Sequence, residues 1–375
     1  GRMGVEALAN YYLINTNTSL TNKVKNDTAG KKNPGDNVYT TLDVKVQQVA
    51  NDQLDIYRGA IIVTEVSTGK IIAMVSHPDF DPNSIAEIWD DLVDNDSSTV
   101  LLNRATQGLY PPGSTFKIVT ALEYIRENPD TYQNYSYNCN GSFRLGNSKI
   151  SCYHGSNHGQ VDFKKSFAKS CNSSFANIGM SLDREAFQET LNDLLFNKDL
   201  PLTLNYAKSS ALVSESTPPA EMMQTSIGQG KTQITPMHLN MITCAIANDG
   251  VLMKPYVIDR VENDEGTVVK SFKASEYGRL MSEDEAAILR QLMTDVVQEG
   301  TASKLKVLNY TAAGKTGSAE YNNVKGDSHA WFTGFAPAED PEVCVTIIVE
   351  GAGSGGDYAV PIARRIFDAY FSEKQ

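Results

Sequence analysis

Strand-like and helix-like segments are unevenly distributed along this chain, and their order restricts the folds open to it. Residues 59–66 and 70–75 are apolar runs separated by the turn formers Ser67-Thr68-Gly69, a pattern that predicts a β-hairpin. Near the other end of the chain lie three further strand-like segments, at roughly 307–320, 329–336 and 342–350. Pairing of the two groups would build one sheet from segments that are distant in sequence.

Helical patterns fill most of the chain between these strands. Residues 42–54 carry apolar side chains at helical intervals, and the pattern from 114 to about 300 is mostly helical. Ser282 and Glu285 predict a capping box at the start of one helix. One face of a closing helix is marked by Val360, Ala363, Ile366, Phe367 and Tyr370. We therefore predict an α/β fold of the α+β type, with a central antiparallel sheet of about five strands, flanking helices and a mostly helical subdomain.

Length and charge narrow the classes of protein further. The 375 residues suffice for one large domain. A polar start ends in turn formers at 30–36, so we predict a linker over residues 1–36 and a compact domain over 37–375. The net charge of −12 disfavours a nucleic-acid partner. No apolar run approaches the ~18 residues that a membrane span requires.

A serine and a lysine three positions apart form the first candidate catalytic group. The stretch Tyr110-Pro111-Pro112-Gly113 cannot continue a helix, whereas Ser114 can begin one. Positions three apart share a helix face, so the amine of Lys117 can reach the hydroxyl of Ser114. Burial would lower the pKa of this lysine toward that of a usable general base. The pair would be a serine nucleophile activated without histidine, although Ser-x-x-Lys alone also fits a plain helix N-cap.

Two further segments argue against a chance match. Ser170-Cys171-Asn172 follows a helix-like segment, and Lys315-Thr316-Gly317-Ser318 lies in a strand-like segment. The motifs S-x-x-K, S-D-N and K-T-G occur together in class A β-lactamases and penicillin-binding proteins. Three motifs in this order, each in a suitable structural context, favour acyl-enzyme chemistry over three separate coincidences.

With these motifs the chain resembles the transpeptidase domain of a class B penicillin-binding protein over about residues 37–373. The similarity extends to Tyr110–Gly113, the hairpin 59–75 followed by His77-Pro78-Asp79-Phe80-Asp81-Pro82-Asn83, Ile227-Gly228-Gln229-Gly230 with Thr235-Pro236, and His329–Pro337. The first residues, Gly1 to Glu6, resemble the end of the family's N-terminal pedestal domain. The resemblance implies a β-lactamase/transpeptidase-like fold, with a pedestal remnant and linker over 1–36. It also implies a location on the extracytoplasmic face of the bacterial cell membrane, anchored by an N-terminal segment absent from this chain.

The resemblance also implies roles for single residues. Ser114 would attack the carbonyl of a D-Ala-D-Ala stem peptide, Lys117 would take its proton, and an amine from a second stem would resolve the acyl-enzyme. Ser170 would relay a proton between Lys117, Lys315 and the leaving nitrogen. The amide of Asn172 would hold the substrate backbone. The terminal carboxylate would be bound by Lys315, Thr316, Gly317 and Ser318, and the backbone N–H groups of Ser114 and Ser318 would form the oxyanion hole.

Partners and alternative reactions follow from the same resemblance. Stem peptides would be the substrates, β-lactam antibiotics would acylate the same serine, a glycan polymerase in the membrane would be a partner, and catalysis would require no cofactor. A class A β-lactamase is disfavoured, because the nearest match to its E-x-x-L-N sequence, Gln188–Asn192, has glutamine at the glutamate position. A D,D-carboxypeptidase stays open, since only the access of an amine rather than water separates the two reactions. A non-catalytic β-lactam-sensing or scaffold module is the other alternative.

Three of the five cysteines lie near or within the S-x-N motif. Cys139, Cys152 and Cys171 with His158 are a Cys₃His donor set for structural zinc, although intervals of 13, 6 and 13 residues are not those of a zinc finger. The arrangement resembles that of some elongation-type class B relatives, in which carboxylates, a histidine and the cysteine inside the S-x-N motif hold a zinc ion. Cys139 and Cys152 would stand where those relatives have the carboxylates. A Cys139–Cys152 disulfide and inert buried thiols are the alternatives. The remaining two, Cys244 and Cys344, are predicted core residues.

Overall fold

The computed structural model describes residues 3–94, 99–307, 309–321 and 327–372. Its α-helices are α1 (Gly4–Leu8), α2 (Asn10–Ile14), α3 (Leu20–Thr28), α4 (Val44–Leu54), α5 (Ile85–Asp94), α6 (Lys117–Glu127), α7 (Phe163–Ala168), α8 (Asn172–Ser181), α9 (Arg184–Asp193), α10 (Pro219–Ser226), α11 (Pro236–Ala247), α12 (Glu283–Glu299) and α13 (Ala359–Ser372). Its strands are β1 (Asn37–Thr40), β2 (Gly59–Glu65), β3 (Ile71–His77), β4 (Ser136–Cys139), β5 (Ser142–Leu145), β6 (Ser148–Ser151), β7 (Gly159–Asp162), β8 (Val251–Met253), β9 (Ile258–Glu262), β10 (Val268–Ser271), β11 (Glu276–Arg279), β12 (Ala313–Glu320), β13 (Ser328–Ala336) and β14 (Val343–Val349).

A five-stranded antiparallel sheet in the order β12-β13-β14-β2-β3 forms the centre of the molecule. Strand β14 pairs with β2, with Val345 opposite Val63, so the two ends of the chain meet in the middle of the sheet. Every residue of β13 and β14 is buried, so both faces of the sheet are covered. The predicted single sheet assembled from distant segments is confirmed, and β12 lies at its edge.

Two pairs of helices cover the faces of this sheet. Helices α4 and α13 pack against each other and against β3 and β14, respectively, while α11 and α12 pack against each other and against the sheet. Because both faces are buried, the two pairs lie on opposite sides. The predicted apolar face of α13 is buried, and the capping box formed by Ser282 and Glu285 at the start of α12 is confirmed.

The middle of the chain is less helical than its pattern indicates. Short strands pair there as β4 with β7, β5 with β6 and β8 with β11. The strands of the β5–β6 hairpin are four residues long and contain three apolar residues in all, which is too short a pattern to be identified as a strand from the sequence. Of the segment predicted over roughly 307–320, residues 313–320 form β12, and Leu308 lies outside the described residues.

Short helices precede the first strand, and the two isolated cysteines are buried. Residues 4–28 contain three short helices, and β1 begins at Asn37, where the compact domain is predicted to start; the boundary itself stays a prediction. Cys244 and Cys344 are buried in the core, as predicted. Among the described residues no helix combines the length and apolar character needed to cross a membrane.

Candidate active site

Ser114 lies in a 3-10 turn, Gly113–Phe116, that runs directly into α6. Gly113 begins this turn with φ of +53°, and its N–H donates to the carbonyl of Gly228 at 2.8 Å. The indole of Trp331 donates to the carbonyl of Pro111 at 3.1 Å and holds the approach to the turn. The predicted position of the serine at the start of a helix is confirmed, and its side chain stays partly exposed.

Lys117 is fully buried, one helical turn after the serine. Its Nζ lies 3.0 Å from Ser114 Oγ, 2.8 Å from the carbonyl oxygen of Ser170 and 2.6 Å from Asn172 Oδ1. Desolvation lowers the pKa of Lys117 to about 7. A neutral amine has two N–H donors and one lone pair. With the two donors facing the carbonyl oxygens of Ser170 and Asn172, the lone pair is free to face the hydroxyl of Ser114.

Ser170 lies two residues after the end of α7 in a left-handed conformation, with φ of +55°. The N–H of Cys171 donates to the carbonyl of Ser166 at 2.9 Å across this helix end, a bond that accompanies left-handed helix caps. The reversal brings Ser170 Oγ 3.2 Å from Lys117 Nζ and 2.9 Å from Lys315 Nζ. A single hydroxyl therefore contacts both amines and can pass a proton between them.

Lys315 and Thr316 lie on the edge strand β12. Lys315 is fully buried, and burial together with the nearby Lys117 holds its pKa well below the ordinary value. The hydroxyl of Thr316 lies 2.6 Å from that of Thr301, which follows α12. A Cβ added at Gly317 would lie 3.2 Å from the carbonyl of Pro112, so glycine allows β12 to pack closely against the turn that carries Ser114.

An open cavity of about 990 Å³ lies over these groups, and Ser114, Asn172 and Ser318 contribute to its wall. The amide nitrogen of Asn172 donates to the carbonyl of Ser151 at 3.0 Å, which ties the S-x-N segment to the end of β6. The structure thus brings together all the predicted catalytic residues and places the K-T-G strand beside them. Their catalytic and binding roles stay predictions.

The four predicted metal donors also meet, directly behind the S-x-N segment. Cys152 Sγ lies 3.7 Å from Cys139 Sγ and 3.8 Å from Cys171 Sγ, and His158 Nδ1 lies 3.4 Å from Cys139 Sγ. All four donor atoms lie within 4.8 Å of one another. A disulfide bond requires about 2.05 Å between sulfurs, and the cysteines here are free thiols, so the alternative Cys139–Cys152 disulfide is not formed in this structure.

Two residues that contact the predicted site residues, Ser173 and Thr301, were not predicted from the sequence. The hydroxyl of Ser173 lies 3.1 Å from Cys139 Sγ, 3.3 Å from Cys171 Sγ and 3.4 Å from Cys152 Sγ, so it contacts three of the candidate ligands. Its position directly after Ser170-Cys171-Asn172 was the available signal. Thr301 is distant in sequence from every motif, and no local pattern marks it.

A serine paired with a lysine rather than a histidine, beside an edge strand that carries Lys-Thr-Gly, is typical of the serine enzymes that recognise penicillins. The family described as Penicillin binding protein transpeptidase domain matches residues 59–368. The chain therefore belongs to this family.

Relatives and solved structures cover nearly the whole chain. Peptidoglycan D,D-transpeptidase PbpA of Mycolicibacterium smegmatis is 31% identical over 370 residues, which span 92% of this chain and 74% of the relative. The D,D-transpeptidase domain of a peptidoglycan glycosyltransferase from Eggerthella lenta superposes with a TM-score of 0.88 at 29% identity, covering 99% of this chain and 87% of the other. Penicillin-binding protein A of M. tuberculosis, as a ceftriaxone acyl-enzyme complex, has a TM-score of 0.88 at 28% identity, covering 98% and 87% of the two chains. These similarities confirm the fold class predicted from the sequence.

Proposed function

We propose that this domain is a peptidoglycan D,D-transpeptidase that joins stem peptides through an acyl-enzyme on Ser114. The observation that best supports this function is the 3.0 Å contact between Lys117 Nζ and Ser114 Oγ, within a buried network that leaves the amine's lone pair for the serine. Similarity to named D,D-transpeptidases agrees with it. The substrate would be a stem peptide ending in D-Ala-D-Ala.

The first half-reaction forms the ester. Ser114 Oγ attacks the carbonyl carbon of the penultimate D-Ala while Lys117 Nζ accepts the hydroxyl proton. The carbonyl oxygen becomes an oxyanion, which the N–H groups of Ser114 and Ser318 would stabilise. Collapse of this intermediate breaks the C–N bond, and the departing D-Ala nitrogen takes the proton from Lys117 through Ser170 Oγ. Lys315, Thr316, Gly317 and Ser318 would bind the terminal carboxylate, and Asn172 the substrate backbone.

The second half-reaction transfers the acyl group. The amine of a second stem peptide attacks the ester carbonyl, Lys117 takes its proton, and Ser114 leaves as a hydroxyl. A β-lactam would acylate Ser114 in the same way and remain bound as an ester. We further propose a glycan polymerase partner and a location on the extracytoplasmic face of the bacterial cell membrane.

A substrate assay separates this function from its alternatives. A donor peptide ending in D-Ala-D-Ala is incubated with the domain and with a D-amino acid as acceptor, and products are separated by mass. A transpeptidase yields the exchanged peptide, a carboxypeptidase yields only the hydrolysed peptide, and a sensing or scaffold module yields neither. We expect exchange with the wild type and no product with Ser114→Ala, so hydrolysis alone or no reaction contradicts the proposal.

We also propose that Cys139, Cys152, Cys171 and His158 hold a structural zinc ion. Ligands at tetrahedral zinc, with Zn–S near 2.3 Å, are separated by about 3.8 Å between sulfurs and about 3.6 Å from sulfur to nitrogen. Three of the six donor separations, at 3.7, 3.8 and 3.4 Å, fit these values, and the other three are no longer than 4.8 Å. Hydrogen bonds from Cys171 and Ser173 lower the pKa of Cys152, whereas the contact with Cys152 and burial raise the pKa of Cys171, so Cys152 is the thiol of this pair that favours the thiolate a metal requires. The ion would supply no catalytic step and would fix the S-x-N segment from behind.

Metal content and stability test the zinc proposal without relying on activity. We expect one zinc per chain in protein purified without chelator, and about half or less in Cys152→Ser. Chelation should lower the thermal unfolding midpoint of the wild type, because metal binding adds to folding free energy. Cys244→Ser is the matched control, since Cys244 is also buried but lies outside the cluster, and it should retain the zinc. Metal-free wild-type protein with freely titrating thiols would show that the cluster is a set of inert cysteines.

A further inference from the structure

Gln229 makes an unusual contact with the edge of the central sheet. With its amide assigned in the orientation that satisfies both groups, the side-chain nitrogen donates to the carbonyl of Glu320 at 3.2 Å. The side-chain oxygen accepts from the N–H of Glu320 at 3.1 Å. Glu320 is the last residue of β12, the edge strand. The amide of Gln229 therefore pairs with Glu320 as a residue of a neighbouring strand would.

This pairing occupies the same edge that faces the nucleophile. In an antiparallel strand the N–H and C=O of one residue point to the same side, and successive residues alternate. The backbone N–H and C=O of Glu320 point away from β13 toward Gln229. Those of Ser318, two residues earlier, therefore also point to the free edge of the sheet. The carbonyl of Ser318 does face the nucleophile's turn, since a Cβ on Gly113 would lie 3.0 Å from it. Gln229 thus bonds the peptide group two residues beyond the predicted oxyanion donor.

The turn that carries Gln229 also holds the nucleophile. Its Gly228 accepts a hydrogen bond at 2.8 Å from the N–H of Gly113, the residue before Ser114. Gly228 has φ of +75°, and a Cβ there would lie 2.1 Å from the carbonyl of Gly113, so the two turns are in close contact. The segment 227–230 consequently touches both walls of the site: the turn with the N–H of Ser114 and the strand with the N–H of Ser318.

We propose that Gln229 is a positioning residue for the oxyanion hole. By pairing with Glu320 from a turn that is bonded to Gly113, it sets the separation between the two N–H groups that would bind the oxyanion. Those donors act only when they lie about 2.7–3.1 Å from the developing charge, so a small displacement of β12 weakens both bonds in the transition state. The inference rests on the proposed acyl-enzyme chemistry.

The test separates binding of a penicillin from its reaction. In Gln229→Met the side chain keeps its length but loses both hydrogen bonds, and in Gln229→Asn the amide is kept but is one methylene too short. Loss of a whole oxyanion donor costs about 10²–10³ in rate, so displacement of a donor that remains should cost about tenfold. We expect the first-order acylation step with a fluorescent penicillin to slow about tenfold in both variants. The dissociation constant before acylation and the thermal unfolding midpoint should stay as in the wild type.

Gln298→Met, on the exposed end of α12, should acylate at the wild-type rate. Wild-type acylation in Gln229→Met overturns the inference, and so does a weaker pre-acylation complex with an unchanged first-order step, which would make Gln229 a ligand-binding residue. Full activity in Gln229→Asn would also overturn it, since the short amide does not reach Glu320. If the wild type itself forms no acyl-enzyme, the proposed function fails and not merely the role of Gln229.

Discussion

The pH dependence of acylation tests the state of Lys117. Its Nζ is completely buried, and desolvation lowers its pKa to about 7 from an ordinary value of 10.5. The protonated amine has no lone pair, so acylation requires the neutral form. With a pKa near 7 the neutral fraction is about 9% at pH 6 and about 91% at pH 8. The first-order acylation rate should therefore rise about tenfold across this interval and level off above it.

Stopped-flow measurement with a fluorescent penicillin at constant ionic strength gives this profile. Stability should not limit the assay on the alkaline side. The unfolded chain keeps the lysine proton up to about pH 10.5 while the folded protein releases it near 7. The unfolded state thus binds more protons in this window, and this lysine makes stability rise with pH. A rate independent of pH between 6 and 8, or one that keeps rising toward pH 10, would refute the assignment of Lys117 as a base with a lowered pKa.

Two further predictions concern the framework of the site and are measured by urea unfolding. Gly228→Ala should destabilise the protein by more than about 2 kcal/mol. Alanine would be strained at the positive φ of this residue, and its Cβ would clash with the carbonyl of Gly113. Gly266→Ala is the control, because Gly266 also has a positive φ, +80°, but no atom lies within 4 Å of its added Cβ. It should cost only the roughly 1 kcal/mol of placing alanine in the left-handed region. Equal losses of stability in the two variants would contradict the steric argument. Glu350→Ala should cost about 3 kcal/mol, since it leaves the buried guanidinium of Arg104, now 2.8 Å from Glu350, without its carboxylate. A loss of less than about 1 kcal/mol would show that this pair contributes little.

The parts of the fold that could be predicted have strong local signals. Strands β2, β13 and β14 are rich in apolar and aromatic residues and are almost wholly buried, as expected for strands covered on both faces. The proline-rich approach to Ser114 excludes a helix before it, so the position of this serine at a helix start is set locally. The hairpin of β5 and β6 has no such signal, because each strand is four residues long, and it packs against α8, about thirty residues away in sequence.

The same distinction applies to the site. Ser114 and Lys117 are one helical turn apart, so their contact follows from helix geometry. Only the family resemblance predicts that the S-x-N and K-T-G motifs lie beside this pair, because no pattern within their own segments indicates their position in the fold. The hydrogen bonds of Gln229 to Glu320 and of Thr301 to Thr316 join segments that no sequence pattern relates. For the cysteines the sequence supplied the donor types, and only the fold shows that the four donors meet.

Intact mass spectrometry after incubation with penicillin G tests the central claim most directly. The wild-type domain should gain one stable adduct equal to the mass of the antibiotic, because opening of the β-lactam ring by Ser114 loses no atoms. Ser114→Ala should gain none while keeping the wild-type unfolding midpoint, since the partly exposed hydroxyl is not part of the core. An adduct that persists in Ser114→Ala would place the nucleophile elsewhere, and its absence or rapid loss in the wild type would contradict the proposed acyl-enzyme.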